Sequence, residues 1–182
     1  MSDELINGIY VSINPEPTSK IVQGTKNHEF RNYIPKKDFK FLFVYVTAPQ
    51  SQLKYLIEIG NIVKHPEKLG SDGDGNYDFN MGKKSKYAYP IVKVYELDSP
   101  ISLLELKEKF GFVPPQAFSY SETFAELTEY VSKAKKRIII SRWYFKLSHK
   151  NTLTMPAYFC VLCYINSIFI ANIPCSFSCS IV

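Results

Sequence analysis

The run Phe41-Leu42-Phe43-Val44-Tyr45-Val46-Thr47 constrains the fold more than any other stretch of this chain. Alternate positions of a β-strand face opposite sides of a sheet, and here both sides are apolar. Such a strand is stable only in a sheet interior, with a packed layer on each face. Its β-branched and aromatic content favours a pleated surface, and Ala48-Pro49 ends it. The chain is long enough to bury a core of that kind in one domain. Its many Tyr and Phe residues suit a sheet-rich interior.

Other elements arrange themselves around this strand. Ile9-Tyr10-Val11-Ser12-Ile13 predicts a second strand. Pro15 and Pro17 suit the first turn of a short helix over residues 16–23, and Gly24 is placed to end it. A strand is expected over Lys26–Arg31, followed by a polar loop to Lys40. Gln52 to Val63 fits either a helix or a strand. The Gly-, Asp- and Asn-rich stretch Ser71–Asn76 predicts a surface loop. Tyr87–Leu97 predicts a strand whose Pro90 requires an edge or a bulge. Ser102-Leu103-Leu104-Glu105 has the spacing of a capping box, opening a helix that Gly111 stops. An extended segment over Pro114–Tyr120 and a helix from Ser121 to about Lys136 complete the body, with Phe124, Leu127 and Val131 on one helix face.

Charge is unevenly distributed. Every Lys, Arg, Asp and Glu lies at or before Lys150, and all four Cys lie beyond it. We therefore expect a domain over 1–140 and a Cys-containing tail of uncertain structure over 141–182, uncharged beyond Lys150. The body has no Cys, which argues against a disulfide-stapled secreted fold. Met1-Ser2-Asp3-Glu4 does not open a secretory signal. The expected setting is cytoplasmic or nuclear. The modest net charge of +5 permits attraction to phosphate without demanding it.

The densest chemistry lies in Gly24-Thr25-Lys26-Asn27-His28-Glu29-Phe30-Arg31. On an ideal strand, Lys26, His28 and Phe30 face one side, and Asn27, Glu29 and Arg31 the other. A carboxylate oriented by a guanidinium accepts hydrogen bonds from an exocyclic amine, and Lys and Arg suit phosphate or carbonyl oxygens. A lysine serves as a base only when burial or a neighbouring cation disfavours its charge, and Glu29 opposes that. The bland alternative is a surface ion pair of little energetic weight.

Ser12-Ile13-Asn14-Pro15, a short helix and then Gly24-x-Lys26-x-x-Glu29-x-Arg31 resemble the signature of the ASCH domain family, a branch of the PUA-like superfamily. Tyr45-Val46-Thr47-Ala48-Pro49 is similar to the family's next strand end, and Pro114-Pro115-Gln116-x-Phe118-x-Tyr120 to a closing element. The resemblance covers roughly residues 8 to 120. It implies an α+β fold: a small, partly open PUA-like β-barrel with flanking helices and a cleft lined by Lys26, Glu29 and Arg31. It also implies binding of RNA or a modified nucleotide there, with Tyr45, Thr47 and Gln116 as neighbours. Some bacterial members are amidohydrolases of acetylated cytidine, using the Lys of the turn, a Thr three residues on and a distant Glu. Glu29 stands where that Thr would be. The enzymatic alternative, with Lys26 as the catalytic group acting on an acylated nucleoside, is therefore the second reading. A protein-interaction module in an RNA- or transcription-related complex is the third.

No cofactor is expected. The three His are scattered, and no metal site is assigned to them. Cys160-x-x-Cys163 and Cys175-x-x-x-Cys179 have zinc-like spacing, but the first pair sits in an apolar run without the turns a zinc loop needs. Ala157 to Ile173 is uncharged and about the minimum length for a membrane span. A tail anchor, a core-packing segment and a segment foreign to the domain are the alternatives for this tail. The basic runs Lys83–Lys86 and Lys133–Arg137 would track a phosphate backbone if they flank the cleft, or form solvated helix ends if they do not.

Overall fold

The computed structural model describes residues 6–83 and 85–142. The expectations about zinc, a membrane span and a tail anchor all concern residues outside this set. Eight strands form one mixed sheet in the order β2-β6-β4-β3-β1-β7, with β5 and β8 also paired to β6. The strands are β1 (Gly8–Ile13), β2 (His28–Arg31), β3 (Phe41–Val46), β4 (Gln52–Ile59), β5 (Val63–Lys64), β6 (Tyr87–Ser102), β7 (Ser119–Tyr120) and β8 (Lys136–Ser141). The helices α1 (Pro15–Val22), α2 (Asn76–Asn80), α3 (Leu103–Phe110) and α4 (Ala125–Lys133) flank it, and a 3-10 turn leads into α4. The sheet curls into a half-barrel, so the architecture is α+β, a partly open barrel with flanking helices.

β3 lies inside the sheet, parallel to β1 and antiparallel to β4. Its two apolar faces enter two different cores. Leu42, Val44 and Val46 join Ile9, Val11, Ile13, Ile57, Tyr89 and Ile91 on one side, where Ile21 of α1 packs. Phe43 and Tyr45 join Tyr10, Leu56, Leu97, Leu106, Phe112, Leu127 and Val131 on the other, beneath α3 and α4. Two-residue alternation along β1 and β3 thus becomes two packed layers.

Local signals place the ends of several elements. Ser102 Oγ accepts a hydrogen bond from the Glu105 amide at 3.2 Å, and Gly111 ends α3 at φ 58°. Pro15 opens α1, and Gly24 follows it at φ 81°.

The structure decides one open reading and corrects two. Gln52–Ile59, open between helix and strand in the sequence, is a strand between β3 and β6. β6 continues through Asp98-Ser99-Pro100 to Ser102; Pro100 falls where the pairing with β4 shifts register between Glu96 and Ile101, and Pro90 lies opposite His28 of β2, just before the β4 ladder begins. The last helix ends at Lys133, and Lys136–Ser141 forms β8 on β6, where Lys133–Lys136 had been read as the helix end. Ile138-Ile139-Ile140, three β-branched residues in a row, are the local reason for a strand.

Candidate ligand-binding site

Among the described residues, the buried Lys, Arg, His, Asp and Glu side chains are Lys26, His28 and Glu29. All three belong to one short stretch. Burying charge requires compensation, so the geometry of this stretch is the natural place to look for a site.

The turn is tied to the end of α1. Lys20 O accepts from the Lys26 amide at 3.1 Å and from Thr25 Oγ1 at 3.2 Å. Regular strand geometry begins only at His28. Lys26 therefore escapes the alternation expected of it. Its Nζ donates to Glu29 Oε2, while Arg31 Nη2 lies 3.0 Å from Glu29 Oε1. The three side chains are 11%, 8% and 15% exposed, so the ion cluster is nearly closed to water. Lys26 Nζ also stands 5.4 Å from the centre of the Phe30 ring, a cation–π contact.

Arg31 is held on several sides. Its Nη2 also donates to Ser12 O at 3.3 Å, and its guanidinium carbon lies 6.0 Å from the Tyr33 ring centre. Its Nε is buried with no acceptor. Glu29 pairs in register with Tyr89, whose ring belongs to the first core and whose hydroxyl donates to Tyr33 O at 2.6 Å. The cluster therefore sits at the rim of that core.

The Pro114–Tyr120 segment crosses nearby. Ser12 Oγ donates to Pro115 O at 2.8 Å and Tyr33 Oη to Ala117 O at 2.6 Å. Arg31 touches both of the residues that anchor this strap. Gln116 lies between the two anchored carbonyls and is exposed. Thr47 Oγ1 donates to Asn14 Oδ1 at 2.9 Å, and its amide to Ile13 O at 3.0 Å, next in sequence to the Ser12 carbonyl that Arg31 contacts. Tyr45 is placed apart. It is 4% exposed and packs against Phe112 in the second core, across the sheet from the ion cluster.

On the opposite face of β2, His28 Nδ1 lies 2.7 Å from Asn27 Oδ1. Burial pushes the His28 imidazole down to about 4; the charges of Arg142 and Lys26 act in the same direction, against a hydrogen bond from Asn76. The loop predicted to be a free surface turn packs against this face. Asn27 Nδ2 donates to Asp72 O at 2.5 Å, and the fully buried Asn76 donates to Gly70 O and Asp72 O at 3.0 and 2.6 Å. Gly73 and Gly75 are required there. Both have positive φ, and a Cβ on either would lie within 3 Å of the Asn27 or Phe30 side chain.

Sequence reasoning passed over Ser12 and Tyr33 as site groups, and Arg142 entirely. Arg142 Nη2 donates to Gly24 O at 2.5 Å from 118 residues away. No local pattern signals that contact. The run Lys133–Arg137, by contrast, is engaged within the fold: Lys136 Nζ donates to the Val131, Ser132 and Ala134 carbonyls at the end of α4, and Arg137 pairs with Glu96. No group of His, Cys, Asp and Glu able to hold a metal occurs among the described residues. None of their helices is long and apolar enough to cross a membrane.

No protein-family model and no curated protein matches the sequence. Solved structures do. The crystal structure of ASCH from Zymomonas mobilis aligns with a TM-score of 0.52 at 24% identity, over 70% of this chain and 96% of that one. A tyrosine-to-phenylalanine mutant of that protein gives 0.54, and a serine-to-alanine mutant 0.52, each at 24% identity and over 99% of the crystallised chain. The fold is of ASCH type.

Proposed function

We propose that the chain binds RNA or a nucleotide at the Lys26–Glu29–Arg31 cluster. The observation that carries this reading is a nearly closed ion cluster in which one carboxylate faces two cations, with a guanidinium N–H left without an acceptor. A purely structural cluster is expected to satisfy every buried donor, because each one left unmade costs about 1–3 kcal/mol. A ligand oxygen would satisfy this one. Glu29 can accept from an exocyclic amine, and Lys26 and Arg31 can hold carbonyl or phosphate oxygens. Thr47 and Gln116 stand within the same neighbourhood as accessory groups. Tyr45 belongs to the core and is left out of the assignment. Lys26 donates to Glu29, the posture of a recognition group rather than of a free amine acting as a base.

Fluorescence anisotropy with short single-stranded RNA tests the proposal. Affinity is expected to fall with salt, with a log–log slope of about 0.7 per phosphate contacted. Absence of binding together with a flat salt response overturns it. Turnover of acetylated cytidine that disappears in Lys26→Ala would replace recognition with hydrolysis.

A further inference from the structure

The basic run Lys83–Lys86 takes no part in the ion cluster, and it begins just after α2. That helix is fastened by its inner face. The buried Phe79 ring lies 5.7 Å from the Phe30 ring, the same ring that Lys26 Nζ approaches. A helix turns about 100° per residue, so the residues two before and two after Phe79 point the other way. These are Tyr77 and Met81, 67% and 56% exposed. The chain then turns back at Gly82. The Lys83 amide donates to Asp78 O at 2.9 Å, and Lys83 Nζ stands 5.2 Å from the centre of the Tyr77 ring.

Elsewhere on the fold lysines are matched by acids: Lys40, Lys54, Lys93 and Lys109 each lie within 3.2 Å of a Glu oxygen. Around α2 the pattern reverses. Lys64, Lys68, Lys83 and Lys86 are exposed, and none has a carboxylate partner among the described residues. Contacts gather them at one end of the helix: the His65 amide donates to Lys86 O at 2.9 Å, the His65 ring meets Phe79 edge-on at 6.0 Å, and Lys68 Nζ donates to Asn80 O. Of the acids in this segment, Asp74 bridges to Lys20 at 2.8 Å and Asp72 accepts from Ser71 Oγ at 3.2 Å, both ahead of the helix. An aromatic face open to solvent beside an unpaired ammonium has the chemistry of a nucleotide contact: the ring stacks a base of any identity, and the cation holds the adjoining phosphate. A lipid surface calls for a broader apolar face than one tyrosine and one methionine. Resting on the RNA- or nucleotide-binding reading, we propose that Tyr77 and Lys83, with Lys64 and Lys86 beside them, form a second contact for single-stranded RNA. Phe30 and Phe79 link it to the Lys26–Glu29–Arg31 cluster, so that one strand engages both.

The full chain is titrated with a labelled single-stranded RNA ten-mer over a series of salt concentrations. Tyr77→Ala is expected to weaken binding about tenfold, and Tyr77→Phe, which keeps the stacking face, to stay within about twofold of the parent. Lys83→Gln lowers the log–log salt slope by about 0.7, the share of one phosphate on a single strand. Lys107→Gln, an exposed lysine of α3, changes neither affinity nor slope. Thermal melting checks that each variant is folded. A Tyr77→Ala variant that binds as tightly as the parent overturns the second contact, and if Arg31→Lys still weakens the RNA, the cluster stands without it. An unchanged salt slope in Lys83→Gln removes Lys83 from the contact. Weakening by Tyr77→Ala with none by Arg31→Lys keeps the α2 contact and removes the cluster. A parent that binds no RNA removes both, and phosphatidylserine vesicles that bind the parent but not Tyr77→Ala then assign this surface to lipid.

Discussion

At the β2 edge Glu29 lies between Lys26 and Arg31; on the β6–β8 face Glu96 lies between Lys54 and Arg137. Both groupings contain one lysine, one glutamate and one arginine. In the second, Arg137 is 71% exposed and directs Nε and Nη2 onto Glu96 Oε2 at 3.0 and 2.6 Å, while Lys54 lies 3.2 Å from Oε1. These groups line an open groove with Leu97, Asp98 and Pro100. In the first, all three side chains are nearly closed to solvent, and Arg31 divides its N–H groups between Glu29 and the Ser12 carbonyl, leaving Nε unmet. The two clusters have the same composition; burial and an unsatisfied donor tell them apart.

The largest effect should come from deleting the shared carboxylate. Glu29→Gln strands two cations in a closed site and is expected to destabilise by about 3–5 kcal/mol, whereas Glu96→Gln should cost about 1 kcal/mol or less. Urea denaturation of the two variants measures the difference, and equal losses would erase the contrast.

Acid separates the regions next. His28 has a folded pKa of about 4 against an ordinary value of 6.5. Between those values the unfolded chain takes up a proton that the folded chain refuses, so stability is full above pH 6.5 and falls as pH drops towards 4. The loss should be roughly 2 kcal/mol, less than the whole shift implies because the ring keeps some solvent contact. Glu96 is held below its ordinary range mainly by its hydrogen bond to Arg137, so its contribution is present above pH 4.5 and is lost only as pH falls below that. Melting temperature against pH, in the parent and in His28→Asn, should therefore show an early loss that the variant lacks.

Arg31→Lys keeps the charge but loses the fork. It is expected to weaken RNA binding about tenfold, whereas Arg137→Lys changes it less than twofold. Anisotropy titrations decide. The smallest effect is a control outside both regions. Ser102→Ala removes the cap of α3, should cost about 1 kcal/mol in thermal unfolding and should leave RNA affinity unchanged.

Much of the site's frame could be read in the linear chain. The apolar run of β3, the proline start and glycine stop of α1, and the Ser102 cap and glycine stop of α3 all follow from neighbouring residues and stand as expected, although Glu105 pairs with Lys109 rather than closing a capping box. The motif residues Lys26, Glu29 and Arg31 are together, although strict alternation had set Lys26 on the other face. The alternation fails because residues 26 and 27 precede the strand and are held by the end of α1. The Ser71–Asn76 stretch has turn composition and does turn. Its docking onto Asn27 and Phe30 depends on two glycines allowing close approach, which composition alone cannot reveal.

What the sequence by itself determined is local: strand periodicity, helix ends, and a dense group of charges after a glycine. These follow from steric and hydrogen-bonding preferences acting over a few residues. The tertiary structure decided which charges lose water. It closed the Glu29 cluster and left the Glu96 cluster open, sent Tyr45 into the opposite core, and brought Arg142 onto Gly24. Desolvation and long-range pairing depend on what the folded chain lays over a residue, and that is a property of the sheet's closure rather than of any short stretch.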